Sequence, residues 1–154
     1  MLAEGDPVPN VALEGMEGKP VHPADFKGQK LVLYFYPKDD TSGCTREAQD
    51  FTALAEEFEK AGTWILGVSK DDAKKHRKFI DKYDLKVPLA TDPDGSVCEA
   101  FGTWVEKSMY GRKYMGIERA TFLIDRNGVI ERVWRKVKVP GHAEEVLAAA
   151  RELP

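Results

Sequence analysis

The stretch Leu31-Val32-Leu33-Tyr34-Phe35-Tyr36-Pro37-Lys38-Asp39-Asp40-Thr41-Ser42-Gly43-Cys44 decides how this chain folds. Its apolar and aromatic run reads as a buried strand, Pro37 ends that strand, and a short polar turn hands one cysteine to the start of a helix. The residues that follow, 45–61, contain no glycine or proline. Phe51, Leu54, Ala55 and Phe58 recur there at the i, i+3, i+4, i+7 spacing of a buried helix face. The first backbone N–H groups of such a helix have no intrahelical partner, and its dipole is positive at that end. Both point toward Cys44, a setting that favours the thiolate, which is the nucleophilic form of cysteine.

Outward from this segment, strands and helices alternate. Residues 8–13 and 19–22 read as short strands around a turn at 14–18, an N-terminal hairpin, and 23–28 as a tight connection. After the strand at 30–36 and the Cys44 helix, residues 63–69 form a second buried strand, an order that implies a right-handed parallel crossover. Asp71 or Asp72 caps a helix with Ala73, His76, Phe79, Ile80 and Tyr83 on one face. Residues 87–89 are extended, 95–101 a short helix and 102–116 a loop. Residues 117–125 and 129–139 flank Arg126-Asn127-Gly128, whose Asn-Gly is the strongest hairpin signal in the chain, and a helix over 142–153 closes the fold. The pattern predicts an α/β protein, a mixed sheet with helices on both faces, with residues 1–154 as one domain.

Composition narrows the function. The net charge is −3, with Lys and Arg spread along the chain, so the positive field of a nucleic-acid binder is missing. No apolar run approaches the roughly 18 residues of a membrane helix, and nothing at the N-terminus resembles a signal segment, so the chain is expected to be cytoplasmic. Two cysteines do not make a disulfide framework for 154 residues, and neither they nor the histidines fall at metal-ligand spacing. His22, His76 and His142 read as structural. Lys74-Lys75-His76-Arg77-Lys78 reads as the wet side of an amphipathic helix, and Trp134 as one side of a half-buried strand.

Pro37, Thr41 and Cys44, in the order Pro-x-x-x-Thr-x-x-Cys, resemble the active-site motif of the peroxiredoxins, thiol peroxidases with a thioredoxin-like fold. The likeness extends over Asp25-Phe26-Lys27-Gly28-Gln29, Met109-Tyr110-Gly111, residues 116–125 and Trp134-Arg135-Lys136-Val137, and points to the bacterioferritin-comigratory, or peroxiredoxin Q, branch. The resemblance implies a cofactor-free enzyme that reduces hydrogen peroxide and small organic hydroperoxides through a sulfenic acid on Cys44. It implies thioredoxin or a similar small dithiol protein as reductant, and a monomer. A thioredoxin-like disulfide oxidoreductase is the alternative, although Glu47 stands where the second cysteine of Cys-x-x-Cys would be. A non-enzymatic holdase or binding module on the same fold is another.

Acidity alone does little for such an enzyme. With a Brønsted slope of about 0.4–0.5, a thiolate made less basic is also made less nucleophilic, so most of the gain from ionisation cancels. Donors to the departing peroxide oxygen must then do the catalysis. Thr41, three residues before Cys44, carries a hydroxyl able to bond a peroxide oxygen or the thiolate. By resemblance, Arg119 is the distant arginine whose planar fork holds both sulfur and oxygen, Glu47 the glutamate that orients it, and Pro37 the shield of the pocket floor. The sulfenic acid must then meet a second thiol. Here the chain departs from the family: Gln49 and the segment Lys78-Phe79-Ile80-Asp81 occupy the two usual resolving positions, and only Cys98 remains. It reads either as a buried inert thiol or as an unusual resolving cysteine.

Overall fold

The protein is described by a computed structural model that covers residues 2–154. In chain order its strands are β1 (Leu13–Gly15), β2 (Pro20–Val21), β3 (Lys30–Phe35), β4 (Thr63–Ser69), β5 (Leu89–Thr91), β6 (Trp104–Met109), β7 (Arg112–Ile117), β8 (Ala120–Ile124) and β9 (Ile130–Trp134). The helices are α1 (Ser42–Ala53), α2 (Ala55–Lys60), α3 (Ala73–Tyr83), α4 (Ser96–Ala100) and α5 (His142–Glu152). Seven strands form one sheet in the order β2-β1-β5-β4-β3-β8-β9, with β3, β4 and β5 parallel and the rest antiparallel to their neighbours.

Every residue of β3 is buried, as its unbroken apolar run predicts for a strand covered on both faces. Alternation along it splits the core in two. Val32, Tyr34 and Tyr36 join Phe51, Phe58, Phe79, Val146 and Leu147 under α1, α2, α3 and α5. Leu31, Leu33 and Phe35 face the other way, toward Val97, Phe101 and Phe122 under α4. Each such side chain stabilises the fold by about 1.5–3 kcal/mol relative to exposure. Lys30, nearly inaccessible at the start of β3, donates from Nζ to the carbonyls of Ala150 (2.6 Å) and Leu153 (3.1 Å) and so caps the negative end of α5.

Several boundaries differ from the sequence reading: the strand read over 117–125 is divided between the end of β7 and β8, with Glu118 and Arg119 off the ladder, and the extended piece read over 87–89 becomes strand at Leu89–Thr91. The strand expected over 8–13 is confined to its last residue. Upstream of it Gly5 and Val8 donate to Ile130 and Gly128, while Pro7 and Pro9 lack the donors of a ladder. The helix expected over 45–61 breaks at Leu54, and the two pieces bring Phe51 and Phe58 within 5.8 Å of each other in one core. The loop expected over 102–116 is an antiparallel hairpin, β6 with β7. Tyr110 (φ 52°) and Gly111 (φ 79°) make its two-residue turn, and both faces are largely exposed, so no polar-apolar alternation marks it. Finally, β9 ends at Trp134 because Lys136 turns left-handed (φ 47°).

His142 opens α5 against α1 and β8. Its Nε2 meets the Thr121 hydroxyl at 2.8 Å, and its ring stands edge-on to Phe51 and Trp134. Burial drives its pKa down to about 4, with Glu145 pulling it back up and Arg119 adding to the fall. A base with a depressed folded-state pKa leaves stability intact above its unfolded value of about 6.5 and withdraws it as pH falls toward 4. Urea unfolding at pH 7 and pH 4.5 should therefore show wild type losing about 2 kcal/mol more than His142→Gln. Parallel losses would place the acid sensitivity elsewhere.

Candidate active site

The route from β3 to Cys44 is held by buried polar groups. Past Tyr36 the chain turns through Pro37, which is half-buried and has no N–H to leave unpaired, to Asp39. The Asp39 carboxylate accepts from the Tyr36 hydroxyl (2.5 Å) and lies 2.7 Å from Nδ1 of His76 on α3. His76 Nε2 lies 3.2 Å from the Ala90 carbonyl on β5. Both partners are acceptors, so the ring ties the turn to the sheet through two hydrogen bonds only when both of its nitrogens carry a proton. The Asp39 backbone N–H donates to Asp71 (2.8 Å), which also accepts from Ser69 (2.8 Å). Asp72, not Asp71, caps α3, accepting from the Lys75 N–H.

Cys44 lies in the first turn of α1 and is 2% exposed. No side chain caps that turn, so its leading N–H groups stay open to an anion. Thr41 occupies the N-cap position, but its hydroxyl donates to the Lys38 carbonyl at 2.8 Å rather than into the helix. Arg119 sits between β7 and β8, off the ladder. Its Nη2 donates to Cys44 Sγ at 3.4 Å and its Nη1 to Glu47 Oε1 at 2.7 Å.

Glu47, one turn beyond Cys44, is 1% exposed, and its second oxygen has no partner among the described residues. Burial pushes its carboxyl up to about 7, against the downward pull of Arg119. Gly43 fits this arrangement in a way the sequence reading missed: a Cβ there would meet Arg119 Nη2 at 3.0 Å. The glycine directly before the cysteine was the available signal.

The structure thus gathers Cys44, Arg119 and Glu47 into one contact set, with Pro37 and Thr41 on the turn that leads to it. It does not bring Cys98 there. That thiol belongs to the core on the opposite face of the sheet, and its backbone N–H is held by Asp92 at 2.7 Å. Burial, and next the Asp92 carboxylate, push its thiol well above the ordinary cysteine range.

The arrangement has counterparts. Residues 4–133 match the AhpC/TSA family. The chain belongs to that family. Peroxiredoxin Bcp of Xanthomonas campestris is 53% identical over 124 residues, 80% of this chain and 78% of its own length. Peroxiredoxin Bcp of Bacillus subtilis is 45% identical over 149 residues, covering 97% and 95% of the two chains. Among solved structures, the Xanthomonas campestris bacterioferritin comigratory protein superposes with a TM-score of 0.86 at 48% identity over 92% of this chain and 90% of its own. A PrxQ variant of Xylella fastidiosa superposes at 0.90, with 42% identity over 97% and 95%. This peroxiredoxin therefore has the thioredoxin-like fold, lies in the Bcp or PrxQ branch, and is a thiol-dependent peroxidase.

The polar turn yields a test of what holds the site. His76→Leu keeps the volume but removes the ring nitrogen beside the Asp39 carboxylate, leaving that buried carboxylate with the Tyr36 hydroxyl. It should lower the unfolding free energy by about 3 kcal/mol and slow peroxide reduction. A change under about 1 kcal/mol in urea titrations would show that the turn does not depend on this ring.

Proposed function

We propose that Cys44 is the peroxidatic nucleophile, with Arg119 and Thr41 as its donor and orienting groups, Glu47 holding Arg119, and Pro37 walling the turn. The observation that carries this reading is the division of the Arg119 fork between Cys44 and Glu47. An arginine held this way supplies its positive edge to sulfur and, as the S–O bond forms, to the oxygens of the peroxide. Thr41 spends its one proton on Lys38, which leaves its oxygen free to accept from a peroxide O–H and orient the substrate. Hydrogen peroxide and small organic hydroperoxides are the substrates.

The second half of the cycle uses a thiol from outside the chain. Cys98 is on the wrong face, fully buried, and disfavoured as a thiolate. A disulfide would need the two Cα atoms within about 7 Å, across a sheet that lies between them. Thioredoxin or a similar small dithiol protein attacks the sulfenic acid directly. The enzyme acts as a monomer in the cytoplasm, where thiols are kept reduced.

Cys44→Ser should remain folded and lose all turnover in a peroxide-consumption assay with dithiothreitol. Arg119→Lys keeps a charge but loses the fork, and should lower the second-order rate with peroxide about tenfold or more. The loss should persist at alkaline pH, where the thiolate is fully formed; recovery there would make acidity, not oxygen stabilisation, the main contribution of Arg119.

For the resolving step, protein treated with peroxide and no reductant should gain oxygen mass on Cys44, as sulfenic then sulfinic acid. Non-reducing peptide maps should contain no Cys44 to Cys98 link. Rapid appearance of that link with one equivalent of peroxide, and its absence in Cys98→Ser, would overturn the external-thiol reading.

A further inference from the structure

The exposed apolar surface of this protein is concentrated in one element. Of the large apolar side chains that stand exposed, Met109, Tyr110, Tyr114 and Met115 all lie on the β6–β7 hairpin, and only Trp64 lies elsewhere among the described residues. Tyr110 is 99% exposed and takes the first place of the two-residue turn at φ 52°, where asparagine or glycine is the residue that folding favours. Neither burial nor backbone conformation accounts for a tyrosine there. Residues opposite each other in the ladder share a face, so Met109 with Arg112, and Lys107 with Tyr114, line one side of the hairpin. On the other side Lys113 lies 3.7 Å from Glu106, while Trp104 and Ile117 pack into the core under α4. Among the described residues, neither Lys107 nor Arg112 forms an ion pair. One face of the hairpin is thus apolar and cationic at once.

The base of this hairpin adjoins the site. The Glu118 N–H donates to the Thr103 carbonyl at 2.7 Å and closes it, and the next residue is Arg119, whose Nη2 lies 3.4 Å from Cys44 Sγ. Whatever binds along the hairpin is held beside the sulfur. Six residues in each strand, at roughly 3.3 Å apiece, span about 20 Å, a length that a protein partner covers and a small hydroperoxide does not. A second copy of this chain is a poor occupant, since apposing two such faces brings like charges together. The two cations call for an acidic rim in the partner, and the methionine and tyrosines for an apolar centre. Cys44 is 2% exposed, so an unattached thiol seldom meets its sulfenic acid. Attachment at a neighbouring surface makes that encounter intramolecular, at an effective concentration on the order of millimolar.

We propose that the face carrying Met109, Arg112, Lys107 and Tyr114, with Tyr110 at its tip, is the docking surface for the dithiol protein that reduces this peroxidase. That partner bears its reactive cysteines in an apolar patch with an acidic rim. Once it is docked, one of its thiolates attacks the sulfenic sulfur of Cys44: an S–S bond forms, the S–O bond breaks, and the oxygen leaves as water with the proton the thiol gave up. The partner's second thiol then displaces Cys44, which is reduced as the partner is oxidised to its disulfide. The proposal rests on the external-thiol reading of the cycle.

The experiment compares wild type, Arg112→Glu and the double variant Met109→Ser, Tyr110→Asn with two reductants. One is thioredoxin, recycled by its reductase, and the other dithiothreitol, which is too small to need a docking surface. Both variants should lower kcat/KM for thioredoxin about tenfold or more. Turnover with dithiothreitol, and the rate of sulfenic acid formation with tert-butyl hydroperoxide, should stay within about twofold of wild type. Raising the ionic strength from about 0.01 M to about 0.1 M shortens the Debye length from about 30 Å to about 10 Å. That change should slow the thioredoxin reaction of wild type and leave that of Arg112→Glu without the loss. Thioredoxin rates unchanged in both variants would overturn the proposal. So would an equal loss with both reductants, which makes the hairpin a support of the site, or slower attack on the hydroperoxide, which makes it a substrate surface. A wild-type dimer that the variants dissociate in sedimentation velocity would overturn it too, as a contact between copies. A wild type that turns over with dithiothreitol but not with thioredoxin removes the reductant assigned to the cycle, and the docking surface with it. Being read on wild type alone, that failure is distinguishable from the others.

Discussion

One guanidinium, shared between two groups a helical turn apart, sets the geometry of this site. Arg119 reaches both Cys44 and Glu47 only because β8 pairs with β3 in a register that puts Ala120 opposite Phe35. The residue before Ala120 then lies level with Tyr36, where the chain leaves the sheet for the cysteine. A slip of one residue would send Arg119 toward the other face, together with every inward side chain of β8. The burial of β3 on both faces makes such a slip expensive, so the core that folds the protein also aims the arginine. On the far side of the turn, Asp39, His76 and Asp71 secure the backbone to β4, β5 and α3.

The same sheet explains how two cysteines can share a small chain without meeting. Residues on β3 point alternately to the two cores, and the helices bearing Cys44 and Cys98 lie over different ones. To join them, α1 or α4 would have to leave its core and expose buried aromatic rings, a cost that several kcal/mol of burial per ring opposes. In the proposed cycle this separation is why an external thiol meets the sulfenic acid.

The central architecture was legible because its signals are local: an apolar run ended by proline, a helical spacing, an Asn-Gly turn. Cys44 and its place at a helix start followed from that alone. Arg119 and Glu47 did not, since their roles depend on a strand pairing between residues far apart in sequence; only the family likeness pointed to them. The β6–β7 hairpin escaped because both of its faces are wet and its turn is Tyr110-Gly111, not an Asn-Gly. His76 was seen as an apolar-face residue of α3, which it is. Its partner Asp39 comes from another element, so one-dimensional periodicity had no means of joining them. Composition cannot choose between an inert and a resolving Cys98, because the choice depends on α4 lying over the other core.

Charge balance in the pocket follows from these placements. Glu47 and an ionised Cys44 are two anions beside one guanidinium, in a wall of low polarizability where each is costly without it. Burial answers by pushing the Glu47 carboxyl up to about 7, so near neutral pH it carries only part of a charge and makes a weaker claim on Arg119. Its unpartnered second oxygen fits the same economy, since a neutral carboxyl costs less to bury than a carboxylate. Protonating Glu47 releases more of the arginine's field to the sulfur, and ionising it holds the guanidinium more rigidly in place. As negative charge moves outward from sulfur to the departing oxygen, it moves within a field that is already positive and does not have to rearrange. In this reading, that fixed field, more than the acidity of one thiol, separates a peroxidatic cysteine from an ordinary cysteine at a helix start.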